Sequence, residues 1–178
     1  MFTRCRGFTL AELLLVGLVL SIVALVALPG LSTSDGNKLT LAASEIAEAL
    51  RFARSEARRT GVHHGVRVTA DKRRVRVFWL DTGTAPPTER FEVRHPTDKK
   101  IYDIDVTEGF FTGGVQAVAT FQYEVGGEEQ RAVAFDVRGE PVASTDLRPL
   151  VSGSVTVSDG GATGMITVTP VVGRITVQ

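Results

Sequence analysis

Residues 7–31 read Gly7-Phe8-Thr9-Leu10-Ala11-Glu12-Leu13-Leu14, followed by LVGLVLSIVALVALPGL to Leu31. No charged residue occurs from Leu13 to Leu28. As a helix rising about 1.5 Å per residue, Phe8 to Leu31 reaches about 36 Å, against a bilayer hydrocarbon core of about 30 Å. The stretch predicts one membrane-spanning helix over 8–31. Ahead of it Arg4 and Arg6 stand without an acid. That excess of positive charge places the short N-terminus in the cytoplasm and the remainder of the chain outside.

A cleaved secretory signal shares this polarity and is the first rival. Its apolar region is usually shorter and ends in small residues at the third and first positions before the cut. A cut after Ala27 would put Leu25 at the earlier position, and a cut after Ala24 would put Ile22 there, so neither fits well. A lipoprotein signal fails because Cys5 precedes the apolar run. The feature neither rival accounts for is Glu12. A carboxylate inside an apolar helix costs at least ~2.5 kcal/mol on insertion, so it needs a partner or a role. The plainer alternative is that the helix begins at Leu13 and Glu12 sits among headgroups.

The string Gly7 to Leu14 resembles the class III signal of type IV prepilins and type II secretion pseudopilins: a short basic leader ending in Gly, then Phe-Thr-Leu, then Glu as fifth residue of the mature chain. The resemblance implies that a membrane aspartyl peptidase, the prepilin peptidase, cuts between Gly7 and Phe8 and N-methylates Phe8. It implies that Glu12 contacts a neighbour's Phe8 amine during assembly, and it matches Pro29 to the proline that commonly kinks pilin helices. The chemistry is consistent. Cleavage leaves an ammonium four residues before Glu12, close to one helical turn. In a staggered filament that ammonium meets the next subunit's carboxylate inside an apolar bundle, and each buried charge answers the other.

Beyond the apolar run comes a polar break, Ser32 to Asn37, and then LTLAASEIAEALRFARSEARRTG. Leu39, Ala42, Ile46, Leu50, Ala53 and Ala57 recur at steps of three and four, which predicts an amphipathic helix stopped by Gly61. Its stripe is suited to packing on a sheet. Arg51, Arg54 and Arg58, interleaved with Glu45, Glu48 and Glu56, read as a solvated charged face. From Val62 the period falls to two: Val75, Val77, Trp79; Ala119, Phe121, Tyr123, Val125; Val133, Phe135, Val137; Val155, Val157; Ile166, Val168; Ile175, Val177. Gly126-Gly127 and Asp159-Gly160-Gly161 mark turns, and 82–88 and 141–153 read as loops. Six or more such strands with one apolar face imply antiparallel sheet packed on the helix.

Two further stretches are similar to GspH/FimT-type minor pseudopilins and pilins. LRFARSEARRTGVHHGVRV resembles their "ARSEA…R…V" passage from helix to strand. Phe135-Asp136-Val137-Arg138-Gly139-Glu140-Pro141 resembles their "FDxRGxP" turn, and Gly173-Arg174-Ile175 their closing "GRI" strand. Residues 81–114 match nothing in that family. The implied architecture is an α+β, pilin-like fold, with a long N-terminal transmembrane and amphipathic helix packed on antiparallel β-sheets. Its parts are a leader at 1–7, a transmembrane helix at 8–31, a linker and amphipathic helix at 32–61, and a periplasmic β-rich domain at 62–178.

Composition sets the remaining limits. The 178 residues are 43% hydrophobic and 22% charged, ordinary globular material. One Cys cannot close an internal disulfide, and with three His it makes no zinc set. Adjacent His63 and His64 point to opposite sheet faces, and His95 precedes Pro96 in a loop. Asp103 and Asp105 share a strand face, a weak calcium pair without further oxygen ligands. No nucleophile context, phosphate loop or HExxH occurs, so no catalysis and no cofactor are expected. Beyond the anchor 18 basic residues face 19 acids, and Thr176 stands where DNA-binding FimT proteins carry a second Arg. Arg73, Arg74 and Arg76 form a local basic patch that keeps DNA binding open as a weakened reading, and no nucleic-acid partner is expected.

The resulting reading is a minor pseudopilin of type II secretion, single-pass in the bacterial inner membrane with its C-terminal domain in the periplasm. Its implied partners are the prepilin peptidase, other major and minor pseudopilins, and the inner-membrane secretion platform. Since the family's tip subunit typically lacks the acid matched by Glu12, a position below the tip is favoured. A minor type IV pilin of the FimT kind is the alternative, and a conventionally exported enzyme or binding protein the third reading.

Overall fold

The computed structural model describes residues 10–27, 33–108 and 114–178. The amphipathic stripe from Leu39 to Ala57 lies on helix α2, Thr33–Thr60. Leu39, Ala42, Ile46, Leu50, Ala53 and Ala57 are all buried, together with Ala43, Ala47 and Ala49. Alanine dominates this stripe because it loses no side-chain entropy in a helix and lets the backbone approach a sheet closely. Gly61, at φ 70°, ends the helix while its N–H still bonds the Ala57 carbonyl at 3.0 Å. The start differs from the sequence reading, since α2 begins inside the polar break. Polarity there marks the end of an apolar run, while the backbone ladder continues through Gly36 at a cost of only about 1 kcal/mol relative to Ala.

The chain divides at Gly36 and Asn37 into two units. The first contains helix α1, Leu10–Ala27. The second contains α2 from Asn37 onward and, among the described residues, ten strands: β1 His64–Val68, β2 Arg74–Asp81, β3 Thr88–Arg90, β4 Asp103–Asp105, β5 Gln116–Gln122, β6 Ala132–Phe135, β7 Pro141–Val142, β8 Ser152–Asp159, β9 Ala162–Val168 and β10 Ile175–Val177. One sheet has the order β3-β2-β1-β6-β7, and β4 also pairs with β2. β3 takes Trp79 to Asp81 and β4 takes Arg74 to Arg76, so one strand serves both. The other sheet runs β10-β9-β8-β5. Every pairing is antiparallel. The loop expected over 141–153 is strand at both ends, in β7 and the start of β8.

The inner faces follow the period of two. Val66, Val75, Val77, Val133 and Phe135 from the first sheet join Phe121, Val155, Val157, Ile166 and Val168 from the second and the α2 stripe in one core. β5 stitches the sheets together. Phe121 and Gln130 exchange backbone hydrogen bonds at 3.0 and 2.8 Å, and the Tyr123 hydroxyl donates to the Ala132 carbonyl at 2.6 Å. The outer face of the first sheet carries a second, smaller core of Phe78, Leu80, Ala132, Ala134 and Val142, with Phe91 and Leu147 packed against it. That core depends on Gly65, whose strand neighbours are Phe78 and Ala134. The Phe78 ring lies where a Cβ on Gly65 would stand.

A fragment of residues 37–178 is expected to fold without the N-terminal helix, because both cores lie within it and a domain near that size buries about 70% of its chain surface. Circular dichroism should show mixed content with β dominant and a cooperative thermal transition. Aggregation relieved only by detergent, or a helical-bundle spectrum, would refute the domain assignment.

Candidate functional site

Gly7 and Phe8, and with them the cleavage and N-methylation positions, lie outside the described residues, as does Pro29. Glu12 lies in the first turn of α1 and is exposed. Leu10, Leu13 and Leu14 around it are 76%, 64% and 67% exposed. Among the described residues no helix is long and apolar enough to cross a membrane. The 18 residues of α1 give about 27 Å at about 1.5 Å each.

The three family-like stretches of the second unit meet at one side chain. Arg54 of α2 donates from Nε to the Gly139 carbonyl at 3.2 Å and from Nη2 to the Val172 carbonyl at 2.8 Å. Its partners lie 85 and 118 residues away in the chain. Gly139 and Gly173 adopt φ 83° and 62°, and the turns abut so closely that a Cβ on Gly173 would stand 2.5 Å from the Gly139 oxygen. Arg54 therefore fastens two glycine turns to the helix flank, a correction to its reading as part of a solvated face. That reading does hold for Arg51, paired with Glu48 at 2.8 Å. Within the first turn, burial raises the Asp136 carboxyl pKa, but hydrogen bonds from the Glu140 and Arg138 N–H groups outweigh it and leave the group below the ordinary range. The second turn contains Val171 at φ 64°, a backbone region that costs an L-residue about 1–2 kcal/mol.

Asp103, Asp105 and the arginines of β2 also meet. Arg74 is in register with Asp105 and Arg76 with Asp103. Arg74 bonds Asp103 at 3.1 Å and Asp105 at 3.2 Å, and Arg76 lies 3.6 Å from Asp103. The suspected calcium pair and two members of the suspected DNA patch thus face each other. The Thr107 hydroxyl on Asp105 is the largest influence holding that carboxyl low. Among the described residues no group of three or more His, Cys, Asp or Glu is placed to hold a metal ion.

On the opposite flank of α2 a cleft of roughly 580 Å³ opens against the 95–105 segment, lined by Glu45, Glu48, His95, Ile101 and Tyr102 among others. The His95 ring stands edge-on to Tyr102 with centroids 4.5 Å apart. Burial, reinforced by Glu48 and Glu45, pushes the Tyr102 hydroxyl up to about 12. Burial likewise raises the Glu45 carboxyl, against a smaller opposing pull from His95. His64 is buried, its Nδ1 on the Val62 carbonyl at 2.8 Å, and burial lowers its pKa.

No protein-family model matches the sequence, and no curated protein sequence matches it. Solved structures do. Two structures of the minor pseudopilin EpsH from the type II secretion system of Vibrio cholerae align with TM-scores of 0.52 and 0.53 at 16% identity. They cover 79% of this chain and 96% and 93% of their own. The type IV minor pilin FimU of Pseudomonas aeruginosa aligns with a TM-score of 0.50 at 19% identity, covering 82% of this chain and 92% of its own. The chain therefore has the pilin-like α+β fold found in minor pseudopilins and type IV minor pilins.

Proposed function

We propose that this chain is a non-catalytic structural subunit of a cell-envelope filament, anchored in the inner membrane by residues 8–31, and that the filament is the pseudopilus of type II secretion. The supporting observation is a coincidence of two independent features. The pilin-like fold of residues 37–178 follows an N-terminus whose Gly7-Phe8 junction and Glu12 have the spacing of a prepilin signal. A conventionally exported enzyme has no use for a carboxylate at that depth. The likeness to FimU keeps a minor type IV pilin as the second reading. Deletion separates the two, since loss of exoprotein export with twitching intact marks the secretion subunit and the reverse marks the pilin.

Processing tests the shared part of both readings. Mass spectrometry of protein from its host is expected to find a mature chain starting at N-methylated Phe8, with 171 residues and no cysteine. Replacing Gly7 with a bulky residue blocks the cut and leaves membrane insertion intact, because the apolar segment is unchanged. A mature terminus at or beyond Leu28 overturns both readings in favour of a signal peptide.

A further inference from the structure

The cleft between α2 and the 95–105 segment is lined by charges of both signs, and most of them already have partners. Glu48 pairs with Arg51 at 2.8 Å, and Asp103 and Asp105 face Arg74 and Arg76. Asp98 closes its own turn, accepting from the Lys100 N–H at 3.1 Å and standing 3.5 Å from His95. Two charged groups of the lining are left with no hydrogen bond or ion pair among the described residues, the Glu45 carboxylate and the Lys100 ammonium. Glu45 is half-buried, and burial already disfavours its charge.

The third free group is the Tyr102 hydroxyl. Tyr102 is 7% exposed, and its hydroxyl makes no hydrogen bond among the described residues. With its pKa pushed up to about 12, by burial first and then by Glu48 and Glu45, it stays a donor at neutral pH. The floor between these groups is apolar. Ile101 is 53% exposed, Ile104 lines the same cleft, and the Tyr102 ring packs on Phe52 and His95 with centroids 5.3 and 4.5 Å away.

Matching these groups one by one defines the ligand. Glu45 requires an ammonium, Lys100 an anion, the Tyr102 hydroxyl an acceptor oxygen, and Ile101 with Ile104 an apolar side chain. A simple amine leaves Lys100 unmatched, and a fatty acid sets its carboxylate against Glu45. A zwitterion satisfies both ends. We propose that this cleft is a binding site for a small zwitterion with an apolar side chain, a free amino acid or a dipeptide, held by its ammonium on Glu45, its carboxylate on Lys100 and its side chain on Ile101 and Ile104. The volume of roughly 580 Å³ lies within the ordinary range of small-molecule sites. The site uses residues of 37–178 alone, so it stands or falls separately from the filament reading and from cleavage after Gly7.

Saturation-transfer NMR on the full chain in detergent micelles tests it, with L-leucine and L-leucyl-L-leucine as probes. At least one probe should receive saturation on its methyl groups with a Kd of about 1 mM or tighter, and the stronger response tells amino acid from dipeptide. Blocking either end of that probe, by N-acetylation or as the carboxamide, should weaken binding about fivefold. Glu45→Gln should weaken the unblocked probe by a similar factor and leave the N-acetylated probe unchanged, and Lys100→Gln should do the same for the carboxamide. That pairing of variant with probe is a response that a general loss of structure does not produce. Both side chains reach solvent, and unchanged circular dichroism confirms folded variants. Equal binding by blocked and unblocked probes, or binding that survives both substitutions, assigns the signal to apolar contact or to detergent and overturns the site. Absence of transfer at about 10 mM probe overturns it as well.

Discussion

Glu12→Leu is expected to leave the protein inserted, processed and folded while removing it from the filament. The substitution makes the apolar segment more apolar, so insertion does not suffer. If Glu12 pairs with a neighbour's Phe8 ammonium, as the prepilin resemblance implies, the loss falls on assembly, where that ammonium is left without its carboxylate inside a helix bundle. Removing one member of a buried ion pair costs about 3–5 kcal/mol, at least a hundredfold in the association constant of each subunit. Secretion should fall to the level of a deletion strain, while Glu12→Asp keeps part of it because the charge survives with a shorter reach. The measurements are filament yield and exoprotein export in a strain whose own copy is deleted. Unchanged export with Glu12→Leu means that the carboxylate lies among headgroups and takes no part in assembly.

Gly65→Val is expected to destabilise the β-rich domain by more than about 4 kcal/mol, although valine is the better strand former by up to ~1 kcal/mol on propensity alone. Packing decides against propensity. A Cβ at Gly65 would lie 2.3 Å from the Val133 carbonyl oxygen, 2.5 Å from Phe78 Cζ and 2.8 Å from the Ala134 Cα. Two of those atoms are backbone of a paired strand, which yields only if the centre of the sheet opens. Overpacking by a methyl costs about 1–3 kcal/mol, and the larger valine exceeds about 4 kcal/mol. Against a total stability of about 5–15 kcal/mol, that removes between about a quarter and most of the margin. Urea denaturation of Gly65→Ala should show a loss near 3 kcal/mol, partly recovered in combination with Phe78→Leu, which withdraws the ring. A Gly65→Val domain within about 1 kcal/mol of the parent would show that the sheet adjusts freely there.

Local patterns carried most of the fold into the sequence. The alanine-rich stripe of α2, the alternation in β2, β5, β8 and β9, and the glycine turns at Gly126 and Gly160 are all short-range signals, and the structure realises each. Long-range features were not legible. Arg54 has the same local surroundings as Arg51, and nothing within one helical turn reveals that its acceptors lie 85 and 118 residues on. The outer core was hidden because Phe78 and Leu80 follow Arg74 and Arg76 on one face of β2, so the strand's first half read as polar outward. The Arg74–Asp105 and Arg76–Asp103 pairs depend on register across β2 and β4. Register is set by the whole sheet, so the same four residues read as two unrelated charge clusters. At the N-terminus, Glu12 was singled out by its misfit to the apolar run.

The pairing of both β3 and β4 with β2 bears on how this fold diversifies. The chain leaves β2 at Asp81, returns beside it at Trp79 to Asp81 and again at Arg74 to Arg76, and disturbs neither the central strands nor the second sheet in doing so. An excursion that starts and ends on one sheet edge can lengthen at little thermodynamic expense, because doubling a flexible loop adds only about 0.6 kcal/mol of closure entropy. Apart from Phe91, Val93 and Tyr102, which pack into the two cores, residues 82–102 are therefore open to evolutionary change, and the segment forms one wall of the Ile101-Tyr102 cleft. A filament system could re-specify a subunit's neighbours by rewriting this one segment, with the remaining scaffold inherited intact.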